Sequence, residues 1–226
     1  MTTFVLVHGA WHGPWAWDRV VPLLHAAGAG TLTPDLTAIG DCGLHDHAEV
    51  VAAALDTVAE EDDLVLVGHS YAALVVREAA DVRPDVVGHV VLVDGWAGSD
   101  GDSMFSLAPE AFVAMVAAAR RRGDGRIPAL PPASFGVDDA DDAAWLAERL
   151  LPQPLRTFTE PTRLSGAVDR IPGTAIFCRP TTYPFDRFGE AVGYRTQALD
   201  GAHDVMLTDP EALARLLLER VQEREA

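Results

Sequence analysis

Short apolar runs alternate with segments of helical periodicity along most of the chain. The apolar runs predict six strands, at residues 4–7, 31–35, 64–67, 90–93, 175–178 and 194–199. Apolar residues at helical spacing predict helices at residues 18–27, 46–60, 70–80 and 211–224. Four of the strands are short, wholly apolar and separated by helices, which is typical of a parallel sheet covered on both faces. The pattern therefore predicts an α/β fold, a mostly parallel sheet flanked by helices.

One segment, residues 100–170, departs from this alternation. It contains an Ala-rich helical stretch at 109–122, a loop rich in Pro and Gly, and a second helical stretch at 141–150. It is too short and too interrupted to form an independent domain. We therefore expect a single domain over residues 1–226, in which approximately residues 100–170 form a small helical cap over the strand ends.

The net charge and composition of the chain indicate which classes of binding partner are unfavourable. The chain has 17 basic and 34 acidic residues, a formal net charge of −17, which argues against binding to nucleic acid or to anionic membranes. The basic cluster at 120–122 ends a predicted helix, where positive charge complements the helix dipole. No apolar run approaches the roughly 20 residues of a membrane span, and the N-terminus has no signal-peptide pattern. A cytoplasmic protein is the expectation, and the sequence leaves open whether it forms a homodimer.

Cysteine and histidine spacing gives little support for a metal. Cys42 and Cys178 have no metal or redox spacing, and they fit a reducing compartment. His45 and His47 could suggest a metal site, but two histidines at this spacing before a helix more often form a solvated cap. We expect neither a metal nor an organic cofactor.

The segment from Gly68 to Ala72, G-H-S-Y-A, lies between an apolar strand and a helix. A nucleophile elbow requires this context, because its tight turn from strand to helix lifts the serine hydroxyl clear of the sheet. The motif has Gly at the fifth place, where this chain has Ala72. The alternative is that Ser70 only caps the helix that follows.

Two distant segments favour catalysis over capping. Residues 8–17, H-G-A-W-H-G-P-W-A-W, follow the first strand, where a loop can direct a backbone N–H toward the serine. We expect His8 and His12 to hold this loop by hydrogen bonds. Residues 201–206, G-A-H-D-V-M, follow the last strand, so His203 is expected at the carboxyl edge of the sheet, where sites in such folds lie.

At these three segments the chain resembles the α/β-hydrolase superfamily. More narrowly, it resembles the small branch of plant-type carboxylesterases, salicylate-ester hydrolases and hydroxynitrile lyases, with their bacterial relatives. The resemblance runs over nearly the whole chain. It includes the cap segment 151–158, L-P-Q-P-L-R-T-F, and Pro210, which lies seven residues after His203.

The resemblance implies roles for individual residues. It implies Ser70 as nucleophile, His203 as general base and acid, and the backbone N–H groups of Ala10 and Tyr71 as the oxyanion hole. The lyase members have a lysine directly after the histidine, where this chain has Asp204. Cyanohydrin cleavage is therefore not expected.

The acid that orients the histidine departs from the family pattern. In the family an Asp lies three residues after the position of Cys178, where this chain has Thr181. Asp94 is the best substitute, because it ends the fourth apolar strand, which is expected beside the strand that carries Ser70. Asp186, on the loop after Thr181, and a Ser–His dyad without an acid are the alternatives.

Aromatic residues accumulate near the predicted site and predict an apolar pocket with few charges. The expected pocket residues are Trp11, Trp96, Phe105, Phe112, Trp145 and Tyr183. Such a pocket suits a small hydrophobic substrate. We expect a serine hydrolase that cleaves a small hydrophobic carboxylic ester or lactone through an acyl-enzyme. The alternatives are a cofactor-free cyclase or C–C lyase with His203 as base, and a catalytically silent small-molecule binder on the same fold.

Overall fold

A computed structural model describes residues 1–37, 40–59, 63–121 and 126–225, and six strands in these ranges form one sheet. The strands are β1 (Thr2–Val7), β2 (Gly30–Leu32), β3 (Asp63–His69), β4 (His89–Val93), β5 (Gly173–Arg179) and β6 (Arg195–Asp200). Their order across the sheet is β2-β1-β3-β4-β5-β6, and every neighbouring pair is parallel. The predicted α/β fold with a parallel sheet is confirmed.

Ten α-helices lie in the described ranges. They are α1 (Val21–Ala26), α2 (Leu44–Leu55), α3 (Ala72–Val82), α4 (Met104–Leu107), α5 (Glu110–Arg120), α6 (Ala140–Ala147), α7 (Arg156–Thr159), α8 (Phe185–Ala191), α9 (Val205–Thr208) and α10 (Pro210–Glu225). Short 3₁₀ helices occur at Pro14–Trp17, Pro132–Phe135 and Val168–Arg170. Within the described part of the chain, no helix is both long and apolar enough to cross a membrane.

Successive residues of the central strands point into two separate hydrophobic cores. In β1, Phe4 and Leu6 pack with α1 and α10 on one face of the sheet, whereas Val5 and Val7 pack with α2 and α3 on the other. Side chains alternate between the faces of a strand, so a sheet covered on both faces has no polar face. The wholly apolar runs of the sequence follow from this burial.

Prolines account for two differences between predicted and observed element ends. The helix predicted at 18–27 begins at Val21, which leaves Pro22 in the first turn, where a missing N–H breaks no helical hydrogen bond. The strand predicted at 31–35 ends at Leu32, and Pro34 could not have donated a hydrogen bond to a neighbouring strand.

The second helix starts earlier than its apolar spacing suggests. α2 begins at Leu44, and the Asp46 carboxylate accepts a hydrogen bond from the Gly43 N–H at 2.7 Å, which caps the helix. The helix ends at Leu55, and residue 60, its predicted end, lies outside the described residues.

Helix α8 occupies a segment that we expected to be a loop. Pro184 precedes the helix and Gly189 lies inside it, and both residue types are poor helix signals. A Cβ atom on Gly189 would lie 2.3 Å from the Cβ of Ala175 in β5. The glycine therefore allows the helix to approach the sheet closely, and this packing benefit is invisible in the local sequence.

Helices α4 to α7 and the 3₁₀ helix at Pro132–Phe135 lie between β4 and β5. The helices predicted at 109–122 and 141–150 correspond to α5 and α6. Residue 122, the predicted end of the first and the last of the basic cluster, lies outside the described residues. The prediction that residues 1–226 form a single domain stays a prediction.

This cap segment is attached to the loop that follows β1. Ile127 and Gln153 form an antiparallel bridge within the cap. The Trp11 indole N–H donates to the Ile127 carbonyl oxygen at 3.2 Å, and the Leu151 N–H donates to the Trp11 carbonyl oxygen at 2.8 Å. The cap and the loop after β1 are therefore held together by backbone as well as side-chain groups.

Candidate active site

Ser70 lies on the sharp turn between β3 and α3. Its φ is 55°, a left-handed conformation that is uncommon for a residue with a side chain. The Ser70 N–H donates to the Val93 carbonyl oxygen at 3.0 Å, and the Ser70 carbonyl oxygen accepts from the Trp96 N–H at 3.1 Å. The turn is thus tied to the end of β4, and its geometry is that of a nucleophile elbow.

Small residues let the strand, the helix and the loop after β1 approach one another at this turn. A Cβ atom on Gly68 would lie 2.7 Å from both the Ala72 carbonyl oxygen and the Val76 Cγ2. A Cβ atom on Gly9 would lie 3.1 Å from the Ser70 Cβ. Ala72, where the motif has Gly, is fully buried as the first residue of α3.

His203 lies in the turn after β6, and its ring connects Ser70 to Asp94. Its Nε2 is 3.0 Å from the Ser70 Oγ, and its Nδ1 is 2.6 Å from the Asp94 Oδ2. The rings of Phe185 and Phe135 are stacked against the imidazole, with centroid distances of 5.7 and 6.4 Å. Hydrogen bonds and ring packing together restrict the orientation of His203.

Asp94 supplies the carboxylate that position 181 lacks. It follows β4, which lies between β3 and β5 in the sheet. Its side chain is 1% exposed, and its Oδ1 accepts a hydrogen bond from the Cys178 N–H at 2.7 Å. Asp186 lies in the first turn of α8, whereas the Nδ1 of His203 is bonded to Asp94. The structure therefore brings together Ser70, His203 and Asp94, the three residues expected from the sequence.

The two backbone N–H groups expected to form the oxyanion hole belong to segments that lie beside Ser70. Ala10 belongs to the loop after β1, and Tyr71 directly precedes α3. The first N–H groups of a helix have no acceptor within the helix. Neither of these two N–H groups donates to an acceptor among the described residues. The oxyanion role of Ala10 and Tyr71 stays a prediction.

Buried histidines hold the loop after β1. The Leu36 N–H donates to the Nε2 of His8, and the ring of His8 lies 3.0 Å from the Gly9 carbonyl oxygen. Burial lowers the pKa of His8 to about 4, so this ring is neutral at pH 7. The Nδ1 of His12 lies 2.7 Å from the Ala10 carbonyl oxygen, and its Nε2 lies 2.9 Å from the Asp204 Oδ2.

A second hydrogen-bond chain lies behind Tyr71. The Cys42 Sγ is 3.0 Å from the His47 Nε2, and the His47 Nδ1 is 3.0 Å from the Tyr71 hydroxyl. Burial lowers the pKa of His47 to about 4 and raises the pKa of Cys42 and Tyr71, so all three groups are neutral. His45 contacts Glu78 instead, at 2.5 Å. The two histidines whose spacing could suggest a metal therefore have different partners.

His69, His203 and Asp204 form the group of described residues whose donor atoms come within 4.8 Å of one another, as metal ligands would. Both ring nitrogens of His203 are already hydrogen-bonded, to Ser70 and Asp94. The His69 Nε2 lies 3.0 Å from the His203 carbonyl oxygen. These contacts form a hydrogen-bonded relay and leave His203 no free nitrogen for a metal.

An apolar cavity of about 270 Å³ opens at Ser70 and His203. Its other lining residues are Trp11, Trp96, Met104, Phe112, Met115, Leu130, Ser134, Phe135, Thr182, Tyr183 and Phe185. No carboxylate, lysine or arginine is among the described residues that line the cavity. The cavity therefore favours an uncharged, largely apolar ligand.

The sequence identified part of this lining. Trp11, Trp96, Phe112 and Tyr183 line the cavity as expected. Phe105 and Trp145 are not among the lining residues of this cavity, which differs from the expectation. Phe105 packs against Phe158 at a centroid distance of 5.8 Å. Trp145 packs against Trp15 at 5.4 Å, with the Arg149 guanidinium 4.3 Å from its ring. Hydrophobicity predicts that such rings are covered, but not which surface covers them.

The sequence interpretation missed the two rings that stack on His203. Phe135 lies in the 3₁₀ helix of the cap, and Phe185 begins α8. Neither residue has a local signal that relates it to His203, because both come from segments far apart in the chain. The Pro131–Pro132 pair before Phe135 signals a turn, and it is the one local clue to the position of that ring.

Comparison with known proteins finds relatives that are named as esterases. A carbendazim hydrolyzing esterase from Nocardioides sp. (strain SG-4G) is 32% identical, in an alignment that covers 96% of this chain and 98% of that protein. Methylesterase 2 of Arabidopsis thaliana is 36% identical over 101 residues, which are 40% of this chain and 38% of that protein.

A solved structure extends the similarity to the fold. An extracellular alpha/beta-hydrolase from a Paenibacillus species, described as sharing structural and functional homology with Tobacco Salicylic Acid Binding Protein 2, superimposes with a TM-score of 0.86. It is 21% identical, and the match covers 97% of this chain and 98% of that one. The model of the Alpha/beta hydrolase family matches residues 4–216. The chain belongs to the alpha/beta hydrolase family.

Proposed function

We propose that this protein is a serine hydrolase that cleaves a small hydrophobic carboxylic ester or lactone through an acyl-enzyme at Ser70. The observation that carries the proposal is the continuous relay from the Ser70 Oγ, 3.0 Å from His203, to Asp94, 2.6 Å from the other side of that ring. Relatives named as esterases support the same reaction class.

Acylation follows from the direction of these hydrogen bonds. Asp94 accepts the Nδ1–H of His203, which leaves the Nε2 as an acceptor for the Ser70 hydroxyl proton. As the Ser70 oxygen attacks the ester carbonyl carbon, its proton moves to the Nε2. The same proton then passes to the leaving oxygen, which departs as an alcohol. The Asp94 carboxylate stabilises the imidazolium between these two transfers.

Deacylation repeats the sequence with water as the nucleophile. His203 takes a proton from water, and the resulting hydroxide attacks the acyl carbon. The tetrahedral species collapses, the Ser70 oxygen leaves, and His203 returns the proton to it, so that a carboxylic acid is released. In both halves the negative charge on the carbonyl oxygen would be stabilised by the Ala10 and Tyr71 N–H groups. Loss of one such donor typically costs about 3 kcal/mol of barrier.

The cavity supports a compact substrate. Its volume of about 270 Å³ and its aromatic lining suit a short acyl or aryl group. The absence of lysine and arginine among the lining residues that the structure describes disfavours anionic substrates. Relatives named as methylesterases make methyl esters the first compounds to test. The proton-transfer alternatives were motivated by the missing acid at position 181, and the contact between Asp94 and His203 removes that motivation.

Ser70→Ala tests the proposal. With 4-nitrophenyl acetate and methyl benzoate as substrates, we expect turnover to fall at least about 10⁴-fold, because the Ser70 hydroxyl is the group that His203 is placed to activate. A fluorophosphonate probe should label the wild type at Ser70 and leave the variant unlabelled. Ser165→Ala is the matched control, since this exposed serine lies outside the cavity. Retained turnover in Ser70→Ala, or a wild type that resists labelling, would contradict the proposal.

A further inference from the structure

The loop that carries Ala10 and the turn that carries His203 are joined by one buried pair of side chains. The His12 Nδ1 is 2.7 Å from the Ala10 carbonyl oxygen, and its Nε2 is 2.9 Å from the Oδ2 of Asp204, the residue after His203. Both partners of the ring are acceptors, so both ring nitrogens must carry a proton, and the ring is an imidazolium. The side chains of His12 and Asp204 are each 1% exposed.

The charges of this pair depend on each other. Burial alone lowers the pKa of His12, but the Asp204 carboxylate outweighs burial and raises it. Burial alone raises the pKa of Asp204, but His12 outweighs it and lowers that pKa. The Oδ1 of Asp204 has no hydrogen-bond partner among the described residues. His69 lies 3.9 Å from this oxygen, but burial lowers its pKa well below the ordinary value, so the charge of Asp204 is matched by His12.

The peptide group between Ala10 and Trp11 is hydrogen-bonded at both its carbonyl oxygen and its N–H. Its carbonyl oxygen accepts from His12, and its N–H donates to the Gln153 Oε1 at 3.1 Å. Trp11 has a φ of 66°, a conformation that the chain adopts at a cost unless neighbouring groups impose it. The Ala10 N–H belongs to the preceding peptide of the same loop. Its direction therefore depends on how this loop is held.

We propose that His12 and Asp204 act as a positioning pair, which fixes the positions of the Ala10 N–H group, the expected oxyanion donor, and of the His203 ring relative to Ser70. This inference rests on the proposed function. Neither residue is among those that line the cavity at Ser70, so both act through their neighbours. The Asp204 N–H also donates to the Phe135 carbonyl oxygen at 3.1 Å, which connects the pair to a ring stacked on His203.

Positioning of an oxyanion donor predicts a specific kinetic signature. A misplaced donor weakens binding of the developing charge and leaves ground-state binding of the ester unchanged. Removal of the pair should therefore lower kcat and leave KM nearly constant. A role in folding alone would lower the fraction of active protein without changing kcat for each active site.

The test uses Asp204→Asn, His12→Gln and the double variant, assayed with 4-nitrophenyl acetate. The end-point of fluorophosphonate labelling counts the active sites, so that kcat is expressed for each labelled Ser70. We expect kcat to fall on the order of 10- to 100-fold in either single variant, with KM within about 3-fold of wild type. The loss of kcat in the double variant should be no larger than the loss in the less active single variant, because both changes remove the same interaction between His12 and Asp204.

Asp200→Asn is the matched control, because it removes the same charge from the end of β6, where the side chain is 81% exposed. Its kcat should equal that of wild type. A wild-type kcat for each labelled site in Asp204→Asn or His12→Gln would overturn the inference, and so would additive losses in the double variant. If one single variant does not fold, the other carries the test. Activity that survives in Ser70→Ala would instead overturn the proposed function, so the two failures are distinguishable.

Discussion

Two of the three residues in the relay have a left-handed backbone, with φ of 55° at Ser70 and 44° at Asp94. Such a conformation costs about 1–3 kcal/mol for a residue with a side chain. Hydrogen bonds at the strand ends offset part of that cost, including the one from the Asp94 N–H to the Ile176 carbonyl oxygen at 2.7 Å. Because each turn interrupts the strand geometry, both side chains leave the strand alternation and meet His203 above the sheet.

The role of Asp94 can be tested by Asp94→Asn. The Oδ1 of residue 94 accepts from the Cys178 N–H, so an asparagine that keeps this bond turns its NH₂ group toward the Nδ1 of His203. The ring must then carry its proton on the Nε2, which can no longer accept the proton of Ser70. We expect kcat to fall on the order of 10⁴-fold, measured with 4-nitrophenyl acetate.

Asp186→Asn is the control for this experiment. Asp186 was the alternative acid from the sequence, and it lies in the first turn of α8. Its substitution removes the same charge, and turnover should stay within about 3-fold of wild type, because the Nδ1 of His203 is bonded to Asp94 rather than to Asp186. A large loss in Asp186→Asn together with a small loss in Asp94→Asn would reverse the assignment.

At the scale of elements, the contact between β3 and α3 depends on a residue without a side chain. A Cβ atom on Gly68 would lie 2.7 Å from the carbonyl oxygen of Ala72, which is backbone and cannot rotate away. We expect Gly68→Ala to lower the free energy of unfolding by about 1–3 kcal/mol, measured by urea denaturation, because strand and helix must separate. The elbow should move with them, so labelling of Ser70 by the fluorophosphonate should slow as well.

Gly40→Ala serves as the comparison. A Cβ atom there meets no atom within 4 Å, so the free energy of unfolding should change by less than about 0.5 kcal/mol. Equal free energies of unfolding for the two variants would show that β3 and α3 can accommodate a methyl group at residue 68, and this would contradict the close packing described above.

The element pattern shows what local sequence can and cannot predict. Apolar runs located the central strands correctly, because a strand buried on both faces needs an apolar residue at every position. They missed α8, because Gly189 is favoured there by contact with Ala175 in β5 rather than by helix propensity. Asp46 shows a third case, in which a polar residue sets the start of a helix that apolar spacing placed two residues late.

At the scale of the whole molecule, buried histidines make stability depend on pH. The pKa of His8 and of His47 is lowered from 6.5 to about 4, with burial as the main cause. Above pH 6.5 both rings are neutral in the folded and the unfolded chain. As the pH falls from 6.5 toward 4, His8 and His47 become protonated in the unfolded chain but stay mostly neutral in the folded chain, so the free energy of unfolding decreases.

We expect each of these histidines to contribute a loss of about 2 kcal/mol between about pH 7.5 and pH 5. His8→Gln and His47→Gln should each reduce the pH-dependent part of the loss by that amount, as measured by urea denaturation at the two pH values. Each variant at the higher pH is its own reference, because there the ring is neutral in both states. Unchanged pH dependence in both variants would contradict the account.

His12 has the opposite effect on the pH dependence of the free energy of unfolding. Its pKa is raised in the folded protein, so its stabilising contribution is complete below pH 6.5 and is lost as the pH rises through the raised value. It therefore adds little to the loss on the acid side. At low pH the free energy of unfolding decreases because His8 and His47 stay neutral in the folded protein. At higher pH it decreases because His12 loses the proton that stabilises its contact with Asp204.

The sequence by itself determined the α/β fold, the elbow at Ser70 and the expectation that His203 lies at the same sheet edge. These conclusions depend on local chemistry: apolar runs, small residues at a turn, and chain order in parallel strands. Asp94 could be nominated from its place at a strand end, but its hydrogen bond to His203 could not be read from the chain.

Only the tertiary structure decided which distant groups meet. The order of the sheet inserts β4 between β3 and β5, although the cap separates β4 from β5 in the chain, and this brings Asp94 to His203. The same folding stacks Phe135 and Phe185 on that ring and directs Phe105 and Trp145 elsewhere. Local periodicity records whether a residue is buried, whereas the partner of a buried residue depends on how separate elements pack.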